Sequence, residues 1–91
     1  MNEKAKLLGC KGTNFAVAHG MHHDRNYSSA LDIALISYNV MASYPVFNEV
    51  VSTKRYECSS RMTNQIYRWE NTNFLLWDSS KCYHGLKTGI T

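Results

Sequence analysis

The stretch "SSALDIALISYNVMASYP", Ser28 to Pro45, limits the fold more than any other part of the chain. Leu31, Ala34, Leu35, Tyr38, Met41 and Ala42 recur at three- and four-residue spacing, which puts them on one face of an α-helix running as far as Tyr44. Ser28 or Ser29 can cap that helix. Asp32, three positions after Ser29, is an acidic stand-in for the Glu of a capping box. Pro45 ends the helix because it disfavours helical backbone at Tyr44, and it can open a short second helix through Phe47, Val50 and Val51. The stripe predicts a buried face, so the rest of the chain is read for what packs on it.

Asn2 to Leu8 are good helix formers with Gly9 placed to stop them, and the helix looks cut at its start. Residues 10–27, with breakers at Gly12 and Gly20, predict mostly loop with at most a brief strand around Phe15 to Ala18. "STKRYEC" alternates roughly and predicts a strand or extended turn with Tyr56 and Cys58 on one face. "RMTNQIYRWENTNFLLWDSS" is ambiguous between helix and strand, but its Ile66, Trp69, Phe74, Leu75 and Trp77 predict burial. In Tyr83 to Thr91, Leu86, Thr88 and Ile90 alternate with Lys87 and Gly89, as in a half-buried strand. Helices first and an extended segment last indicate an α+β class and not repeated βαβ units.

Ninety-one residues allow one small domain. The 44% hydrophobic content, with one proline and five glycines, is that of a packing chain without low-complexity segments. The formal charge of +3 comes from ten scattered Lys and Arg. No basic stripe suited to a phosphate backbone results, so nucleic acid is not an expected partner. The apolar run Leu31 to Ile36 is broken by Asp32 and is far shorter than a bilayer span, and the N-terminal residues lack the order of a secretory signal.

Cys10, Cys58 and Cys82 cannot all pair within one chain and show no C-x-x-C spacing, which favours free thiols. His19, His22, His23 and His84 lack a metal-ligand spacing; the loop histidines are expected to position backbone, and no metal is expected. Ser28, Ser37, Ser59 and Ser79 have no base at a telling spacing, and no G-x-S-x-G elbow occurs. Tyr67, Trp69, Phe74 and Trp77 suit either a sugar or peptide platform or, more ordinarily, core.

Taken in order, "MNEKAKLLGCKGTNF", "HGM", "YSSALDIALISYNVM", "FNEVVSTKRYE", "WENTNFLLW" and "YHGLKTGIT" resemble the serine-type D-alanyl-D-alanine carboxypeptidases, the low-molecular-mass penicillin-binding proteins. The resemblance covers the whole chain. That family works with a serine and lysine in S-x-x-K, a second motif of the S-x-N type, and K-T-G on a cleft strand. This chain resembles the stretch that begins shortly after S-x-N and ends at K-T-G. The resemblance therefore implies a partial catalytic domain over residues 1–91, lacking the S-x-x-K and S-x-N parts, with a DD-peptidase/β-lactamase-like α+β fold of helices plus the K-T-G strand.

By the same resemblance, Lys87 is the fixed catalytic cation that binds the terminal carboxylate of a D-Ala-D-Ala peptide and favours proton transfer around the nucleophile. Thr88 bonds the same carboxylate, Gly89 leaves room for the substrate backbone, and the N–H of Ile90 is the second oxyanion donor. The family usually has an aromatic or histidine side chain where this chain has Ile90, which leaves substrate preference open. Without the resemblance, Lys87 is an ordinary solvated charge on a strand face.

The implied ligands are a peptidoglycan stem peptide or a β-lactam, with no cofactor and no transmembrane segment in this chain, in an extracytoplasmic setting. The implied activity is removal of the terminal D-Ala through an acyl-enzyme. The chain alone, without the nucleophile, is expected to be inactive. The alternative is an inactive family fragment serving as a structural or interaction subunit. In either case the apolar faces imply a complementing polypeptide or self-association.

Overall fold

The computed structural model describes residues 1–78 and 82–89, and the chain divides into two compact units, Met1–Ser43 and Tyr44–Thr91. In the first unit, α1 spans Asn2–Leu7. Gly9 adopts φ +84°, and the N–H groups of Gly9 and Cys10 return to the carbonyls of Lys6 and Ala5 at 3.0 Å each. These two bonds are a Schellman ending, which a glycine at the left-handed position makes possible.

The expected brief strand around Phe15 is reduced to one antiparallel bridge, Asn14 with Tyr27. Polar side chains do the rest of the ordering there. Asn2 donates to the Phe15 carbonyl at 3.0 Å and accepts the Phe15 N–H at 2.7 Å, and Asn26 accepts the Ala16 N–H at 3.2 Å. His19 and His23 accept the N–H groups of Met21 and Arg25 through Nδ1, each at 3.1 Å. These rings position their own turns.

Helix α2 spans Ala30–Ser43, with the Ser29 hydroxyl accepting the Asp32 N–H at 3.1 Å as an N-cap. The stripe expected to be buried is not. Leu31 is 69% and Tyr38 76% exposed, while the buried residue of the helix is Asp32, at 3%. An apolar stripe is buried only where another layer covers it, and within this unit the described residues supply no such layer.

In the second unit, Tyr44 is extended at φ −132° and ψ 89°, as a residue before proline should be, and Pro45 opens α3, Pro45–Ser52. Strands β1, Arg55–Ser59, and β2, Ile66–Glu70, form a two-stranded antiparallel sheet. The register places Tyr56 opposite Trp69 and Cys58 opposite Tyr67. One face therefore carries the stacked rings of Tyr56, Trp69 and Tyr67. The other carries the ion pairs Arg55–Glu70 and Arg68–Glu57. Asn64, at φ +53°, turns the hairpin.

Phe74–Trp77 is a 3₁₀ turn capped by Asn73, whose side chain accepts the Leu75 N–H. The residues expected to be buried here, Ile66, Trp69, Phe74, Leu75 and Trp77, are all exposed. Leu76 is the buried one, because the 3₁₀ turn directs it inward.

Helices with a two-stranded antiparallel sheet make the described chain α+β. The expected K-T-G strand does not form among the described residues, since 82–89 have no paired neighbour to complete a ladder. Its alternation survives: Leu86 and Thr88 are half-buried, Lys87 and Gly89 exposed.

Candidate functional site

Asn71 organises the region around Lys87-Thr88-Gly89. Its side-chain amide donates to the carbonyls of Val51 and Thr53 at 3.2 and 3.0 Å. Its N–H donates to the Lys54 carbonyl at 2.8 Å. Its side-chain oxygen accepts the Asn73 N–H at 2.9 Å, and its carbonyl accepts the Trp77 indole N–H at 3.2 Å. One short polar side chain thus ties the end of α3 and the start of β1 to the 3₁₀ turn. An Asn that turns its own backbone two residues on is a common turn device. Here the amide also satisfies two carbonyls that a helix ending would leave unpaired.

Gly85 brings the chain back against this frame. It adopts φ +80°; a Cβ built there would fall inside contact distance of the Val51 carbonyl oxygen and lie 3.2 Å from both terminal carbons of Leu76. Only glycine meets both demands without strain.

Two residues on, Lys87 and Thr88 line a cleft of about 330 Å³ with Val50, Asn71 and Asn73. Thr88 and Gly89 also border an apolar cleft of about 540 Å³ walled by Phe74 and Leu75. The Thr88 hydroxyl lies 3.2 Å from that of Thr72. Lys87 is exposed, with its ammonium turned toward the Thr88 carbonyl oxygen. None of the ion pairs among the described residues involves it. A Cβ added at Gly89 meets nothing within 4 Å. Of the four expected site residues, Thr88 thus borders both clefts, Lys87 the first and Gly89 the second; Ile90 lies outside the described residues.

The hollow between α3 and the sheet, about 490 Å³ and lined by Val46, Val50, Tyr56 and Trp69 among others, does not include Lys87, Thr88 or Gly89. Ser37-Tyr38-Asn39 has the letters of an S-x-N motif, but it lies inside α2 and the Ser37 hydroxyl donates to the Ile33 carbonyl at 2.6 Å. A helical serine bonded to its own backbone is poorly placed to act on a ligand. Ser28 pairs with Thr13 at 2.7 Å. Ser79 lies outside the described residues. Among the described residues no group of three or more His, Cys, Asp or Glu is placed to hold a metal ion, and no single helix is long and apolar enough to cross a membrane.

The family model for D-alanyl-D-alanine carboxypeptidase matches residues 1–91. The chain belongs to the D-alanyl-D-alanine carboxypeptidase family. It is 40% identical over its full 91 residues to D-alanyl-D-alanine carboxypeptidase DacA of Escherichia coli, of which it spans 21%. It is 34% identical to DacA of Haemophilus influenzae, spanning 22%, and 36% identical to DacF of Bacillus subtilis, spanning 23%. The chain therefore covers less than a quarter of the length of these carboxypeptidases. No solved structure gives a significant match. The family that the six ordered stretches suggest is thus the family the comparison returns.

Two contributions were not legible beforehand. Thr72 is a direct partner of Thr88. The Asn-Thr-Asn spelling marks a turn but does not say which residue it faces. Gly85 was legible as a glycine near K-T-G, but its approach to Val51 is a tertiary fact that no local pattern carries.

Proposed function

We propose that this chain is the carboxylate-gripping part of a longer serine-type D-Ala-D-Ala carboxypeptidase with a DD-peptidase/β-lactamase-like fold, acting outside the cytoplasmic membrane. The observation that supports it most is the surface formed by Lys87, Thr88 and Gly89. It presents the Lys87 cation, which has no ion-pair partner among the described residues and is turned toward the Thr88 carbonyl oxygen, together with the Thr88 hydroxyl and open space over Gly89. A peptide ending in D-Ala, or a β-lactam, carries a carboxylate that such a surface binds by a charge-assisted bond to Lys87 and a hydroxyl bond from Thr88.

The S-x-x-K serine, from outside this chain, attacks the penultimate carbonyl. The oxyanion is met by backbone N–H groups, one of them from Ile90. D-Ala leaves with a proton, and water then hydrolyses the acyl-enzyme. Lys87 holds the substrate in line and favours proton transfer at the serine by its positive charge.

Intact-mass spectrometry after incubation with benzylpenicillin tests this division of labour. The 91-residue chain is expected to keep its mass, and the full-length protein to gain one covalent adduct on the S-x-x-K serine. A stoichiometric adduct on the isolated chain would overturn the assignment of the nucleophile to another segment.

A second reading has its own support in the exposure of Leu31, Tyr38 and Phe74. An inactive family member could use these faces as a structural or interaction subunit, completed by another polypeptide or a second copy. The mass of the native protein separates the two: a full-length carboxypeptidase supports the first, a 10.4 kDa species in a stable complex the second.

A further inference from the structure

The Asn71 side chain bonds Val51, Thr53 and Asn73, and the residue it sets in place, Thr72, touches the K-T-G segment through the Thr88 hydroxyl. From this we infer that Thr72 is a positioning residue for the Thr88 hydroxyl, fixing the direction in which Thr88 presents its proton. The inference rests on the proposal that Thr88 binds a ligand carboxylate.

A threonine hydroxyl has one proton and two lone pairs. Thr88 alone can rotate that proton among several acceptors, its own backbone included. The Thr72 oxygen stands 3.2 Å from the Thr88 oxygen. When the Thr72 hydroxyl donates, one Thr88 lone pair is occupied and the Thr88 proton is left for an acceptor in the adjoining cleft. A carboxylate there is the strongest acceptor available, and accepting from Thr88 in turn strengthens the bond between the two hydroxyls.

Thr72 can do this because its backbone is held on both sides. Asn71 is bonded to Val51, Thr53 and Lys54, and Asn73 is bonded to Asn71 and caps the 3₁₀ turn. Gly85 fixes the other side of the contact by its close approach to Val51 and Leu76. Both hydroxyls are thus mounted on the same frame at the end of α3, which preorganises the pair before a ligand arrives.

The test is a double-mutant cycle in the full-length protein with Thr72→Val, Thr88→Val and the pair together, plus Thr72→Ser. Acylation rate constants are measured with benzylpenicillin and with its methyl ester, which lacks the charged carboxylate. Thr72→Val is expected to slow acylation by benzylpenicillin roughly 3- to 10-fold and to leave the methyl ester nearly unaffected. A merely structural role would slow both. Thr72→Ser, which keeps the hydroxyl, should restore the rate, and adding Thr72→Val to Thr88→Val should cost nothing further.

If Thr88→Val is impaired while Thr72→Val is not, or if the two effects multiply, the positioning role is wrong and the carboxylate site stands. If Thr88→Val itself leaves benzylpenicillin acylation unchanged, the carboxylate site is wrong and the positioning role falls with it. Should Thr72→Val fail to fold, wild-type selectivity in Thr72→Ser against a loss in Thr72→Ala gives the same decision.

Discussion

The Asp32 carboxylate accepts the Thr13 hydroxyl at 2.6 Å and, on the same oxygen, the Gly12 N–H at 2.7 Å. A residue in the first turn of α2 thus fixes a loop far back in the chain. Because Thr13 gives its proton to Asp32, the Ser28 hydroxyl 2.7 Å away donates to Thr13. The Thr13 hydroxyl foremost, with the N–H groups of Gly12 and Lys11 and the Ser29 hydroxyl, holds Asp32 below its ordinary carboxylate range against the opposing pull of desolvation.

The pH consequence follows from that sign. A carboxyl held lower in the folded state than its unfolded value of 3.8 stabilises the fold above that value, and the contribution is lost as pH falls through the lower folded value. Asp32→Asn is expected to melt earlier at neutral pH and to lose part of the acid-side fall in melting temperature. Identical acid limbs for the two proteins would contradict it.

Cys10 is buried, and its thiol lies 3.7 Å from the Asp32 carbonyl oxygen. Desolvation first, and the Asp32 charge second, raise it above 9.0, so the thiolate that alkylating agents need is scarce at pH 8. Peptide mapping after a short iodoacetamide pulse at pH 8 should find exposed Cys82 modified well before Cys10. Equal labelling would show that the first unit opens readily.

Gly85 and Gly89 should respond oppositely to the same substitution. Gly85→Ala places a Cβ against the Val51 carbonyl and forces alanine to φ +80°, and is expected to destabilise by about 1–3 kcal/mol in a urea melt. Gly89→Ala meets nothing within 4 Å and should leave stability unchanged while slowing turnover of a D-Ala-D-Ala peptide. Stability loss at Gly89, or none at Gly85, would reverse their assigned roles.

The exposed faces of α2 and of the 3₁₀ turn bear on self-association. Among the described residues the buried hydrophobic side chains are Ala5, Cys10 and Leu76, too few for an independent core. Analytical ultracentrifugation of the isolated 91-residue chain with amide exchange is expected to find either association or weak protection. A dilute monomer with strong, cooperative protection would rule this out.

The local grammar of the chain was largely legible. The Gly9 stop, the Ser29 cap, the Pro45 break and the short helix after it all rest on backbone sterics within a few residues, and each appears where the sequence places it. What failed was burial. Leu31 and Tyr38 fall on a helical stripe, and Trp69 and Ile66 on strand faces, but periodicity specifies which face is apolar and not whether anything covers it. Asp32 shows the same limit: its cap position was readable, its loop partners were not, because they depend on how residues 10–29 return to the helix. At the site, Lys87, Thr88 and Gly89 were identified through their resemblance to a family, since a lysine, a threonine and a glycine in a row specify no chemistry by themselves.

Replacing Lys87 tests the proposed site most directly. In the full-length protein, Lys87→Ala removes the cation proposed to bind the substrate carboxylate, and kcat/KM for a peptide ending in D-Ala-D-Ala is expected to fall by about 2–4 kcal/mol of transition-state stabilisation, with the melting temperature unchanged because the side chain is exposed. An unaltered kcat/KM at unaltered stability would show that Lys87 is a solvated surface lysine and that this chain does not carry the carboxylate site.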